Sequence, residues 1–185
     1  MLDIQPTALP DVKIIQTKRF GDERGFFSEV YSRLRFVEAG LEFDFVQDNH
    51  SLSIKAGTIR GLHFQCPPFA QGKLVRVTRG RILDVAVDLR RSSPTYGQHV
   101  AVELSAENWR QLLVPVGFAH GFCSLEPDTE VLYKVTSYYS AEHDRGLAFD
   151  DPALGIPWPI PVREAILSEK DCKHPRLAEL PAYFT

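Results

Sequence analysis

The sequence predicts an all-β fold, a double-sheet jelly roll or barrel with a few short helices, on three observations. Short runs of strand composition follow one another along most of the chain. Turn signals separate them at short spacing, and only one stretch carries a clear helical period. In chain order, residues 12–20 and 26–32 read as strands flanking Gly-Asp-Glu-Arg-Gly, where Gly21 and Gly25 can take the positive φ that a tight connection needs. Leu34, Val37 and Leu41 then fall at i, i+3 and i+7, with Ser32 placed to cap a helix and Gly40 near its end. Residues 59–77 are patterned like two buried strands, yet carry His63 and Lys73 among their apolar residues. Residues 82–89 alternate, with Leu83, Val85, Val87 and Leu89 on one face and Asp84, Ala86 and Asp88 on the other. Residues 99–104, 110–114, 122–125 and 130–138 continue the series of strands. The proline-rich residues 151–162 read as an irregular closing segment, and Ser168 begins a second short helical turn. With no repeat, low-complexity tract or linker, residues 1–185 are expected to form one domain.

Composition narrows the partners. Apolar residues make up 44% and charged residues 24% of the chain, which is ordinary globular composition. A net charge of −3 carries no broad basic footprint, which argues against a nucleic-acid polymer but leaves room for a small anion held by a few arginines. Cys66, Cys123 and Cys172 are far apart and odd in number, so they suggest neither a disulfide framework nor a metal knuckle. The N-terminus lacks a basic stretch followed by an apolar run, and no apolar run later approaches the length of a membrane span. A soluble, cytoplasmic protein is expected.

Two kinds of chemistry compete for the polar residues of the barrel. A metal site needs three or four converging His, Asp or Glu side chains, usually with a His-x-His pair on one strand. Here that pair would be His63-x-Gln65, and glutamine is a poor ligand. Pro115-x-Gly117-x-x-His120 does resemble the second-hairpin pattern of the cupin superfamily. One half of the pattern without the other supports the barrel and argues against the metal. A metal-free acid–base site fits better. On a strand, His63 and Gln65 point the same way as Gly61, and Lys73, Val75 and Val77 can face the same interior. Asp84 and Asp88 are placed to neutralise Lys73, and Tyr133 adds a phenol. Base, cation and phenol are what proton abstraction beside a carbonyl requires.

Taken singly, each residue also has an ordinary explanation. A strand histidine is commonly a hydrogen-bonded core residue, a lysine snorkels from an edge, and a tyrosine fills a barrel. Asp171 sits three residues after Ser168, a favourable place for a carboxylate near a helix N-terminus. Arg24, in the tight turn, and Arg60, just before Gly61, can fork onto phosphate oxygens or simply be solvated. Tyr138 and Tyr139 can offer a flat face to a base or serve the sheet.

The segments FGDERGFFSE, FVQDNHS, RGLHFQ, AQGKLVRV, GRILDVAVDLR, LSAENWRQLLVPVGFAHGF, LYKVTSYY, DDPALGIPWP and LSEKD occur in this order. Together they resemble the dTDP-4-dehydrorhamnose 3,5-epimerases, from about Leu9 to Asp171. The resemblance implies a metal-free cupin-type jelly roll, without cofactor, working as a homodimer with exchanged N-terminal strands. It implies dTDP-4-dehydro-6-deoxy-D-glucose as substrate and dTDP-4-dehydro-L-rhamnose as product. His63 would be the base for the C3 and C5 protons, with Asp171 paired to its imidazole. Lys73 would stabilise the enolate oxygen, and Tyr133 would return a proton on the opposite face. Arg24, Glu29, Gln47, Asp48, Asn49, Arg60, His120, Asp144 and Lys170 match positions that hold the nucleotide-sugar in relatives, and Tyr139 would stack on thymine. Epimerisation at C3 or C5 alone, on another dTDP-deoxysugar, is the neighbouring reading. A non-catalytic sugar-nucleotide-binding cupin is a third, disfavoured by the joint presence of His63, Lys73, Tyr133 and Asp171.

Overall fold

Strands that are apolar on both faces need cover on both faces, and two packed sheets with outer padding supply it. The computed structural model describes residues 2–185. Its strands are β1 (Asp3–Pro6), β2 (Lys13–Gln16), β3 (Phe20–Asp22), β4 (Gly25–Phe27), β5 (Gln47–Ser53), β6 (Ile59–Gln65) and β7 (Lys73–Arg79). They continue as β8 (Arg81–Asp88), β9 (His99–Ser105), β10 (Arg110–Val114), β11 (Phe118–Ser124), β12 (Thr129–Val135) and β13 (Asp144–Gly146). One sheet has the order β1-β2-β10-β7-β12-β5 and the other β13-β6-β11-β8-β9, while β3 and β4 form a separate hairpin. Pairing within each sheet is antiparallel, and the architecture is a cupin-like jelly roll.

Three layers of apolar packing follow. Val75, Val77, Ile82, Ala86, Leu112 and Val131 fill the space between the sheets. Behind the second sheet, Leu62, Phe64, Val85 and Val87 are covered by Leu180 and Phe184 of the C-terminal tail. Behind the first, Ile15, Leu74 and Leu113 are covered by Phe36 and Leu41 around the helix α1 (Arg33–Glu38). Each fully buried side chain of this size contributes roughly 1.5–3 kcal/mol. The alternation in β8 thus sorts its residues between two buried layers, with Val85 and Val87 outward and Ala86 inward.

Several sequence expectations change in detail. Leu34 and Val37 are 68% and 48% exposed, and α1 buries Phe36 instead. The helix is only six residues long, so a single position meets the sheet, and Phe36 also packs edge-on against Tyr31. Ser32 holds the extended N-cap conformation without a side-chain cap bond. The expected strand over 12–20 ends at Gln16, where both of its neighbours end as well. That over 26–32 keeps only Phe26 and Phe27, paired in the hairpin with Gly21 and Phe20. The strand over 130–138 begins at Thr129 and ends at Val135, and β1 and β5 arise where no strand was expected.

One glycine fixes how the site strands meet. Gly61 has φ +128°, and a Cβ there would lie 2.6 Å from the Gly121 Cα. Only a glycine lets β6 and β11 approach so closely. The approach sets His63 directly across from His120 in the ladder.

Candidate active site

Residues from both sheets converge on one end of the barrel interior. Cross-strand partners share a face. The pairs His63–His120, Val135–Lys73 and Tyr133–Val75 therefore carry two imidazoles, an ammonium and a phenol toward the space between the sheets. They line a cavity of about 390 Å³ together with Ser51, Arg60, Lys170 and Asp171. This answers why His63 and Lys73 interrupt an apolar pattern: their strands wall the cavity.

Asp171 arrives from a 3-10 turn, Asp171–Lys173, that opens with the Asp171 N–H donating to the Ser168 hydroxyl at 3.2 Å. Its carboxylate is buried, and Oδ1 lies 2.6 Å from His63 Nε2. Burial alone would raise the Asp171 pKa, but the flanking His174 and His63 hold it well below the usual carboxylate range. An ionised carboxylate only accepts, so His63 Nε2 carries the proton and Nδ1 keeps its lone pair. Burial lowers the His63 pKa, outweighing the pull of Asp171, with Lys73 and Lys170 acting in the same direction as burial. The imidazole is therefore neutral and basic near neutral pH.

Lys73 donates to the His63 carbonyl at 3.3 Å. Burial brings its pKa down to about 8, against the opposing pull of Asp84 and Asp144. Asp84 accepts from His120 Nε2 at 2.7 Å, and both side chains are buried. Burial raises the Tyr133 pKa, so its phenol stays protonated over the working range. Among the described residues, the buried side-chain atoms without a hydrogen-bond partner are Ser51 Oγ, Asp84 Oδ2 and His174 Nε2. Ser51 lines the cavity, Asp84 holds a histidine that does, and His174 stands behind His63.

At the rim, Asp144 accepts from the Tyr139 hydroxyl at 3.3 Å and pairs with Lys170. Gln47 accepts from the Tyr139 N–H at 3.2 Å and donates to Asn49 Oδ1 at 2.9 Å. Arg60 is anchored by Ser53 Oγ and the Leu52 carbonyl at 3.2 and 2.8 Å. The remaining expected binding residues stand apart from this cavity. Asp48 pairs with Lys134, and both border a neighbouring depression with Asn49. Glu29 pairs with Arg35, and Arg24 caps the β3–β4 hairpin in an ion pair with Asp22. Asp88 does not serve Lys73: it is bound to Arg90, Ser93 and Thr95.

Sequence reasoning missed His174 and Ser51. His174 follows Asp171 by three residues, which is one turn of a 3-10 helix, and that spacing was the available signal. Ser51 lies on β5, whose polar sequence QDNHSLS hid the strand altogether.

Comparison with known proteins assigns the family. The family model for dTDP-4-dehydrorhamnose 3,5-epimerase matches residues 6–179. The dTDP-4-dehydrorhamnose 3,5-epimerase of Sinorhizobium fredii is 57% identical over 180 residues, covering 97% of this chain and 92% of the relative. A crystal structure of the Bacillus anthracis enzyme with TDP and PPi bound superposes with a TM-score of 0.92 at 52% identity, covering 95% and 99% of the two chains. The Legionella pneumophila enzyme in complex with dTDP-4-keto-L-rhamnose gives a TM-score of 0.93 at 45% identity, covering 98% and 96%. The chain belongs to the dTDP-4-dehydrorhamnose 3,5-epimerase family.

Proposed function

We propose that this epimerase inverts C3 and C5 of dTDP-4-dehydro-6-deoxy-D-glucose to give dTDP-4-dehydro-L-rhamnose, with His63 as base and Tyr133 as acid. The observation that carries the role assignment is the 2.6 Å contact of His63 Nε2 with Asp171, which leaves Nδ1 as the basic nitrogen. A proton beside a ketone becomes removable when the enolate oxygen is stabilised. The Lys73 ammonium, buried in the same cavity, supplies that charge where the low dielectric strengthens it. Inversion then needs a proton from the face opposite the base, and Tyr133 is protonated and borders the same cavity. Asp171 keeps the imidazole in the correct tautomer and supports its cationic form after abstraction.

Substrate holding divides between the two ends of the ligand. His120 would bind the sugar, Arg60 the diphosphate, and Lys170 and Asp144 the cavity mouth, while Gln47 orients Tyr139 for stacking on thymine. Asp48, Asn49, Arg24 and Glu29 complete the set in an assembled homodimer. The hairpin β3–β4 favours that assembly: Phe20, Phe26 and Phe27 are exposed on it, a cluster of apolar area rarely left in water. The hairpin is an N-terminal element that belongs to neither large sheet, and in an exchange of N-terminal strands it would carry Arg24 toward a partner's cavity. The chain acts as one jelly-roll unit on a small soluble substrate. Among the described residues no helix is long and apolar enough to cross a membrane, which is compatible with a cytoplasmic setting.

The test is NMR in D2O. Turnover should place deuterium at both C3 and C5, and label at one carbon only would reassign the chain to single-position epimerisation. Tyr133→Phe keeps His63 and removes the far-side proton, so it should exchange deuterium faster than it forms epimer. Equal loss of exchange and inversion would refute the two-face division of roles.

A further inference from the structure

We infer that His63, Asp171 and His174 form a zinc site that switches the base off. One ligand atom from each of these residues lies within 4.8 Å of the other two. Tetrahedral zinc at its usual bond lengths holds neighbouring ligand atoms about 3.3 Å apart. His174 Nε2 and Asp171 Oδ1 already stand 3.4 Å apart, and the 2.6 Å contact of His63 with the same oxygen opens by a small carboxylate rotation.

The second observation is the state of His174. Its side chain is 8% exposed, and Nε2 is buried without a hydrogen-bond partner among the described residues. At 3.4 Å it is near enough to help hold the Asp171 charge, but too long and poorly directed to make a full hydrogen bond. A buried ring nitrogen left idle calls for a ligand, an ion or a water. The ring is held there by construction. It fills the space that Gly146 leaves, since a Cβ on Gly146 would meet it at 2.2 Å, and it meets the His63 ring edge-on at 5.5 Å. His63 is one-third exposed toward the cavity, which gives an entry path and a place for a fourth ligand from water. Two imidazoles and one carboxylate suit Zn2+, whereas Mg2+ and Ca2+ prefer oxygen.

Inhibition follows from one proton. In the metal-free state the His63 proton sits on Nε2 and the Nδ1 lone pair is the base. When Nε2 gives its lone pair to zinc, the neutral ring must carry its proton on Nδ1, and the base is gone. His174 does not border the substrate cavity, so zinc on this rear side of His63 leaves room for the nucleotide.

The inhibition rests on the epimerase reading, but the binding does not, and the two are measured separately. Calorimetry with Zn2+ alone, and the visible absorption of Co2+, should report one tightly bound ion per chain on the intact protein. His174→Ala, and His174→Gln as a variant that keeps the packing on Gly146, should each weaken binding by at least ~10-fold, since even the loss of an outer-shell partner of a ligand costs that much. Cys172→Ser should bind as the wild type does. Saturating Zn2+ should reduce wild-type turnover by at least ~10²-fold, the scale of losing a general base, and a chelator should restore it. The His174 variants, each compared with its own zinc-free rate, should lose that sensitivity. Affinity for dTDP should be the same with and without zinc. No zinc binding, binding undiminished in the His174 variants, loss of binding in Cys172→Ser, or competition between zinc and dTDP would each overturn the site.

Discussion

Asp88 and Asp171 are both buried carboxylates with depressed pKa values, yet they serve different ends. Asp88 lies at the end of β8 with every lone-pair direction taken. It accepts from the Arg90 N–H, Nε and Nη2 at 2.9, 2.9 and 2.8 Å, from Ser93 at 2.6 Å and from Thr95 at 2.7 Å. Arg90 in turn reaches Asp11 and lies over the Phe118 ring. Nothing in this cluster faces the cavity. Asp171 instead spends its charge on His63, which opens to the cavity, and on His174, whose Nε2 stands 3.4 Å away without a full hydrogen bond. A saturated network holds the fold in place; an incompletely satisfied one, maintained by the surrounding packing, marks where a ligand or a proton completes it.

The largest effect that separates the two clusters is on catalysis. His63→Ala should lower both solvent exchange and inversion by at least ~10²-fold, the low end for loss of a general base. Its midpoint of thermal unfolding should fall only modestly, because the side chain is one-third exposed although its loss leaves the buried Asp171 carboxylate without its donor. Deuterium uptake by NMR and a melting curve on the same preparation decide it. Activity retained in a well-folded His63→Ala protein would remove the base from its assigned place.

How far this contrast was legible in the sequence depends on what each residue answers to. Strands show through when one side of the ladder alternates, as in β8, and His63, Lys73 and Tyr133 could be placed on a shared interior by period two alone. The pairing of Asp171 with His63 could not: 108 residues separate them, and only the resemblance joined them before the fold did. β5 stayed hidden because the side of it that carries Gln47, Asn49 and Ser51, paired across from Val135, Tyr133 and Val131, is polar where a strand usually signals burial. The helix was visible but its buried face was not, since a six-residue helix meets the sheet through one residue rather than a stripe. Arg24 is the converse case: the chain alone pairs it with Asp22, away from the cavity, and its reading depends on a second copy.

The next effect is on stability and belongs to Asp88. Its pKa falls from 3.8 to about 2 because hydrogen bonds from Arg90, Ser93 and Thr95 overcome the burial that would raise it. A depressed carboxylate pKa contributes stability above its unfolded value, and that contribution is lost as the pH drops toward the folded value. The window is therefore pH 3.8 down to about 2. That shift corresponds to ~2 kcal/mol. Asp88→Asn should lose about 2–3 kcal/mol of unfolding free energy at neutral pH, since it also leaves Arg90 without its charge partner. Its acid denaturation should flatten over the same window. Turnover per folded molecule should be unchanged. A large fall in turnover at full folding would mean that the two clusters are coupled after all.

The smallest effect is a shape rather than a loss, and it reports the same contrast through pH. Asp88 titrates far below any working range, so it leaves no trace in an activity profile. Lys73 does the opposite: burial brings its pKa down to about 8, within the range an assay can sweep. The ammonium is present below that value and disappears above it, so stabilisation of the enolate should fade as the pH rises through about 8. One pH unit beyond the midpoint only about a tenth of the cation remains, and kcat/KM should have fallen in proportion. Tyr133 is not the source of this limb, because burial moves its pKa upward from the ordinary phenol value. His63 is not either, since its pKa is lowered, and as the proposed base it should set the acid limb, where protonation takes its lone pair. Lys73→Arg replaces an ammonium that titrates with a guanidinium that does not. It should flatten the alkaline limb even where the poorer fit lowers the rate at neutral pH. The measurement is kcat/KM across the alkaline range for both proteins, with folding checked at each pH. A limb that kept its position in Lys73→Arg would take the enolate-stabilising charge away from Lys73 and give the titration to another group in the cavity.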